Sequence, residues 1–130
     1  MTEMPVFGED IELAHAHRFI DAARHLAAGS FYADSVSRAY YAAFHAGCAL
    51  LASIGRTVRA HDGLRAMVGE HFVRTGKLDP KFARLLAHTA ADRNDADYNS
   101  VAVFSKEDAE VAILSASEFV DAVENLLRKV

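Results

Sequence analysis

The stretch SRAYYAAFHAGCALL, residues 37–51, decides the fold. Its apolar side chains recur at three- and four-residue steps, and it contains no proline, so it reads as helix. The helix extends from about Tyr32 to Ile54 and is ended by Gly55. Tyr40, Phe44, Gly47, Leu51 and Ile54 form one apolar stripe, and alanines fill most of the remaining circumference. A helix apolar nearly all round must be covered on every side, so this one is expected at the centre of a bundle. Arg38, Tyr41, His45 and Cys48 line up on the other side. A polar stripe on such a helix has two readings. Tyr41 and His45 satisfy one another in a hydrogen-bonded core seam, or the stripe faces a groove. Arg38 is the sharpest residue there, because a guanidinium buried beside aromatics needs an anionic partner or ligand.

Helical periodicity continues in both directions, and no alternating Val/Ile/Thr-rich run suggests a useful strand. A first helix spans about Glu9 to Ala28, with Ala16, Phe19, Ile20, Ala23 and Leu26 on one face and Gly29 as its stop. A third begins near Asp62, carries Leu64, Met67, Val68 and Phe72, and stops at Gly76. Asp79-Pro80 is a capping residue followed by a first-turn proline, which starts a fourth helix reaching about Tyr98. Ser105 and Asp108 form a capping box for a fifth, striped by Ala109, Ile113, Ala116, Phe119, Val123 and Leu127. The connections are short. The expectation is therefore an all-α protein, a compact antiparallel bundle of four to five helices.

A chain of 130 residues is about one ordinary domain, taken here as 1–130, with 52% hydrophobic and 25% charged residues. Its apolar runs are broken well before the roughly 18 residues a membrane helix requires. The start, MTEMPVFGEDIE, is acidic and lacks the basic-then-apolar pattern of a signal peptide. A cytoplasmic protein is expected, and the single cysteine, Cys48, is read as a buried filler among alanines. Net charge is −4 but unevenly spread. Residues 1–55 carry three basic and six acidic groups, residues 56–93 eight and four, and residues 94–130 three and eight. An anionic ligand should meet the middle third, where six of the eight cations are arginines suited to bidentate phosphate contact. A solvated helix surface is the plainer alternative.

His61 stands at the entrance of the third helix among Arg56, Arg59 and Arg65. It is either a surface cap or a phosphate-facing group, since helix N-termini favour anions. His15 and His17 have the wrong spacing to converge on a metal, and His88 with Asp92 is only a two-ligand pair, so neither metal nor cofactor is expected. No glycine-rich phosphate loop, nucleophile elbow or cysteine pair occurs.

The segments SRAYYAAFHAGCALL (37–51), RAHDGLRAMVGEHFVRTGKL (59–78), RNDADY (93–98) and AEVAILSASEFVDAVENLL (109–127) together resemble a small stand-alone prokaryotic HEPN-domain protein. The resemblance covers about residues 10 to 127. It implies a four- or five-helix bundle forming homodimers, and association with RNA or nucleotide chemistry. Many proteins of this family are metal-independent ribonucleases, often toxins paired with a minimal nucleotidyltransferase antitoxin. The family's ribonuclease motif is an arginine, commonly followed by a polar residue, then a histidine four to six positions past the arginine. Arg93 and Asn94 match its first half, but Tyr98, Asn99 and Ser100 occupy the positions open to the histidine.

Metal-free RNA cleavage needs a base for the ribose 2′-hydroxyl, an acid for the departing oxygen and a cation for the phosphate. Arg93 can supply the cation. A phenol, with a reference pKa near ~10, can serve as the acid but is a poor base at neutral pH, so the base would be His45 or His61. Arg38, Arg56, Arg59 and Arg65 are the candidate RNA-binding residues. Arg93 also lies four residues before Asp97, a spacing for an in-helix ion pair. It lies about 140° around an ideal helix from Tyr98, so convergence of those two is expected only where the helix frays. The reading is a toxin-type HEPN protein linked to RNA binding or cleavage. The alternative is a non-catalytic HEPN module that binds a nucleotide or a protein partner. The resemblance also implies a variant in which Tyr98 is a modification acceptor for a nucleotidyltransferase.

Overall fold

The computed structural model describes residues 8–58 and 61–128, with side chains from Gly63 onward in the second stretch. All regular structure in them is helical: α1 Gly8–Ala28, α2 Tyr32–Ser53, α3 His61–Val68, α4 Lys81–Tyr98 and α5 Lys106–Arg128. A π-helical turn, Gly69–Val73, prolongs α3. The expected all-α bundle is the observed one. No described helix is long and apolar enough to cross a membrane.

α2 is the axis of the assembly. Twelve of its 22 residues are buried, and it packs against α1, α3, α4 and α5. Ala39, Ala42, Ala43, Ala46 and Ala49 are fully enclosed. Their small side chains let four neighbours approach one helix closely, as a column of leucines would not. Larger groups from the surrounding helices, including Leu64, Leu86 and Phe119, fill the space between. Three residues separate α1 from α2, so the two fold back on each other as a hairpin. Inside that hairpin the Ser35 hydroxyl donates to the Ala23 carbonyl at 2.7 Å, satisfying a buried polar group.

The helix ends follow their signals with one exchange. The Asp79 carboxylate accepts from the Lys81 N–H at 2.8 Å, starting α4. Ser105 and Asp108 form the reciprocal box, with bonds of 2.8 and 3.1 Å. Gly55 and Gly76 take the left-handed conformation that ends their helices, at φ of +73° and +79°. After α1, however, the left-handed residue is Ser30 (φ +68°), one position beyond the expected Gly29. The Phe31 N–H then closes the turn onto the Leu26 carbonyl at 2.8 Å. A Cβ on Gly29 would stand 3.1 Å from the exposed Phe31 ring, a tight contact that a small shift of the ring relieves.

The third helix, expected to continue regularly to Gly76, widens at Gly69, where the Arg74 N–H bonds five residues back to the Gly69 carbonyl. Leu64, Val68 and Phe72 repeat every four residues, which drifts around a helix of 3.6 residues per turn. One wider turn offsets the drift and keeps all three buried.

On the α1 side of α2, the His45 ring stacks on Phe19 (centroids 5.3 Å, planes 7° apart), and its Nδ1 lies 3.4 Å from the Glu12 carboxylate. One turn further along α2, burial pushes the Cys48 thiol up to about 12, with the Glu12 charge and a hydrogen bond to Glu12 adding to the effect. Such a thiol is inert at neutral pH, in keeping with a filler role.

Three measurements follow from this packing. A Cβ on Gly47 would lie 2.9 Å from both methyls of Leu64, which is only 1% exposed and has nowhere to go. Gly47→Val should therefore cost about 1–3 kcal/mol by overpacking, read as a lower urea midpoint at unchanged m. Cys48 ionises near 9.0 when unfolded and about 12 when folded. Between those values the unfolded state has lost a proton that the folded state keeps, so stability is intact below pH 9 and falls as pH rises toward 12. Cys48→Ala should flatten that alkaline decline in thermal melts, and the wild-type thiol should react with a disulfide reagent at pH 8 only after denaturant is added.

Candidate functional site

Ala87, Ala90, Ala91 and Asn94 recur at three- and four-residue steps and share one face of α4. Three of the four are alanines, which leaves a depression where α2 and α3 pass. Tyr40 of α2, Arg65 of α3, and Arg93 and Asn94 of α4 rim this alanine-floored pocket of about 260 Å³. Two arginines, an asparagine and a tyrosine therefore share the lining of one pocket.

Arg93 is the most constrained of them, its side chain only 18% exposed. Its Nη2 donates to the Tyr41 hydroxyl at 3.0 Å, and its Nε stands 3.4 Å from the Asp97 carboxylate. The Asp97 contact is an ion pair without hydrogen-bond alignment, and the buried Nε has no hydrogen-bond acceptor. The guanidinium carbon also lies 5.3 and 5.4 Å from the Tyr40 and Tyr41 ring centroids. The Tyr41 bond is aligned and charge-assisted, whereas the Asp97 carboxylate is offset from the Nε–H direction. Arg93 is thus held chiefly by α2, and Asp97 is the weaker partner. The Tyr41 bond is the largest influence on the Arg93 pKa and raises it, while burial acts the other way. The guanidinium stays charged throughout the working pH range.

Tyr98 corrects an expectation. The helix does not fray: α4 runs through Tyr98, and the ring centroid still lies 5.7 Å from the Arg93 guanidinium carbon. Two long side chains bridge the 140° between their Cα positions. Tyr98 is 72% exposed, so its ring and hydroxyl are open to solvent.

Arg38 is the second correction. It is exposed rather than buried, lying over Phe19 and Tyr41 at 5.9 and 5.6 Å, and among the described residues no carboxylate pairs with it. Its aliphatic stem covers aromatic surface while its head remains in water, so no anionic partner is required. Tyr41 consequently has two guanidinium groups near its ring, Arg38 at 5.6 Å and Arg93 at 5.4 Å. The expected Tyr41–His45 partnership gives way to two separate ones, Tyr41 with Arg93 and His45 with Glu12.

The remaining candidates divide. Arg65 and Asn94 join Arg93 at the pocket. Arg56 lines a different pocket, with Glu12 and Cys48 beneath the end of α2. Arg59 and the His61 side chain lie outside the described residues. Periodicity had put Tyr40 in the apolar stripe, and it is 4% exposed, yet its ring also borders the arginine pocket. Nothing in the spacing marked that second role. On another face of α4, His88, Asp92 and Asp95 stand beside Asp108 of α5, and burial is the main influence raising the Asp92 carboxyl pKa, with Asp108 and Asp95 adding to it against His88. One helix separates a cationic pocket from an acidic groove. Among the described residues no three His, Cys, Asp or Glu side chains are grouped to hold a metal.

Comparison with known proteins agrees with this architecture. The protein named "Putative toxin MJ0605" of Methanocaldococcus jannaschii is 33% identical over 120 residues, covering 92% of this chain and 87% of that one. A UPF0332 protein of Thermotoga maritima is 30% identical over 112 residues, covering 86% and 85%. "Putative toxin MJ0142", also of M. jannaschii, is 28% identical over 112 residues, covering 86% and 76%. The HEPN domain matches residues 12–126, nearly the whole of the helical bundle, and the chain belongs to the HEPN family.

Proposed function

We propose that this chain is a toxin-type HEPN protein that holds the RNA backbone at Arg65 and Arg93, working in the cytoplasm as one domain with a minimal nucleotidyltransferase as its antitoxin. The observation that carries the RNA-binding part is the pocket in which Arg65, Arg93 and Asn94 converge on an alanine floor. Arginine forks match phosphate geometry, and the small floor lets a backbone come close. The toxin assignment draws on the names of the two M. jannaschii relatives. The antitoxin draws on the family resemblance.

Cleavage needs a base beside this cation. Tyr98 stands within reach of Arg93, but a phenol serves as acid more readily than as base at neutral pH. His45 is occupied by Glu12 and Phe19 on the α1 side of α2. The second reading, a binding module without cleavage, is favoured by the sequence: Tyr98, Asn99 and Ser100 stand at the positions open to the motif histidine. Tyr98 is also exposed enough for a nucleotidyltransferase to modify its hydroxyl.

The test is cleavage of a mixed RNA pool in chelator, with circular dichroism to monitor folding. Tyr98→His should create or raise cleavage, because imidazole exchanges protons near neutral pH, and Arg93→Ala in that background should remove the gain. Wild-type cleavage equal to the histidine variant and insensitive to Arg93→Ala would place the chemistry elsewhere. Arg65→Gln with Arg93→Gln should weaken RNA binding and reduce its salt slope by ~0.7 per phosphate lost.

The chain is further proposed to be a homodimer. Val101, Val103, Val111 and Leu114 are 59–90% exposed and offer apolar surface for a second copy. Sedimentation should give roughly twice 14.2 kDa at micromolar concentration. A value of 14.2 kDa across that range would exclude the dimer.

A further inference from the structure

We infer that Tyr98 is a base-stacking platform, which together with Arg93 forms a subsite for one unpaired nucleotide. The inference rests on the reading of the Arg65–Arg93 pocket as a phosphate site and adds what that site selects. Two large aromatic side chains stand exposed among the described residues, Phe31 and Tyr98. Phe31 lies at the α1–α2 turn, its ring against Gly29, and serves the fold. Tyr98 serves no packing purpose at 72% exposure, yet its ring is beside the Arg93 guanidinium, which Tyr41 of α2 holds in place.

The arrangement has the parts of a nucleotide site. A fixed cation 5.7 Å from an exposed ring lets the phosphate rest at the arginines while the base lies on the phenol. A guanidinium near one part of the ring leaves the rest of its π-surface available, and base–aromatic stacking tolerates any of the four bases. The chain leaving α4 is held in a hydrogen-bonded turn. The Asn99 side chain accepts from the Val101 N–H at 3.2 Å, and the Ala102 N–H bonds the Asn99 carbonyl at 3.1 Å. That turn fixes the end of the helix on which Tyr98 stands, so the platform keeps its place relative to Arg93.

The consequence is selectivity for single strands. In an A-form duplex each base face is covered by its neighbours, and the ring has nothing to stack on, although the phosphates remain available to Arg65 and Arg93. Stacking uses the ring and not the hydroxyl, so this role is separable from proton transfer by Tyr98.

The chain contains no tryptophan, so Tyr98→Trp installs a single indole whose emission reports stacking directly. That variant is titrated in chelator with a 12-nucleotide adenosine RNA, with the same strand annealed to its complement, and with inorganic phosphate. Quenching is expected with the single strand and not with the duplex or phosphate. By anisotropy with the labelled single strand, Tyr98→Phe should keep the wild-type affinity, whereas Tyr98→Leu should lose about 5- to 150-fold. Duplex affinity should be the same for wild type and Tyr98→Leu. Equal single-strand affinity of Tyr98→Leu and wild type, or quenching as strong with the duplex, would overturn the platform while leaving the phosphate site standing, provided Arg93→Gln still weakens binding. Failure of the wild type to bind either RNA would overturn both.

Discussion

Burial of α2 on every side is the constraint from which the rest of the architecture follows. Fixing an apolar helix at the centre requires at least three others around it, and the shortness of the chain leaves few ways to supply them. The α1 hairpin covers one flank, α5 another, and α3 with α4 close the remainder. Five enclosed alanines set how near these neighbours come, so the bundle is tight where α2 is thin. The site inherits this closeness. Tyr40 and Tyr41 are adjacent on α2, and only because α4 passes so near can one arginine touch both rings.

Much of the fold was legible because its signals are local. The Asp79-Pro80 start and the Ser105–Asp108 box concern groups within three residues of each other, and both formed as read. Signals depending on tertiary packing were not legible. The first helix ends at Ala28 before Gly29 as read, but the left-handed residue that turns the chain is Ser30, which no local signal singled out. The widened turn at Gly69 keeps Leu64, Val68 and Phe72 buried together, and its clue, their four-residue repeat, is present in the sequence but reads there as ordinary helix.

The candidate site divides in the same way. The Arg93–Asp97 spacing was visible and the pair exists, but the stronger tie to Tyr41 crosses 52 positions of sequence. Arg38 was misjudged because a helix wheel assigns a side, not a depth. Its Cα belongs to the buried helix, while its long side chain carries the charge out to water. Arg56 and Arg65, nine residues apart in one arginine-rich segment, part company because α2 ends before the first and α3 holds the second. A charge count by thirds of the chain could place cations near the site but could not sort them.

The contact between Gly47 and Leu64 acts as a gauge for the pocket that α2, α3 and α4 share. Leu64 is the neighbour of Arg65 in sequence, and its depth against α2 sets where that turn of α3 stands. Arg93 is referred to the same helix through Tyr41. Both cations therefore take their positions from α2, one through a missing methyl and one through a phenol. The width of the gap between the two arginines is accordingly a property of the hydrophobic interior. Sequence drift at Gly47, remote from any charged group, would be able to retune the gap while both arginines remained in place.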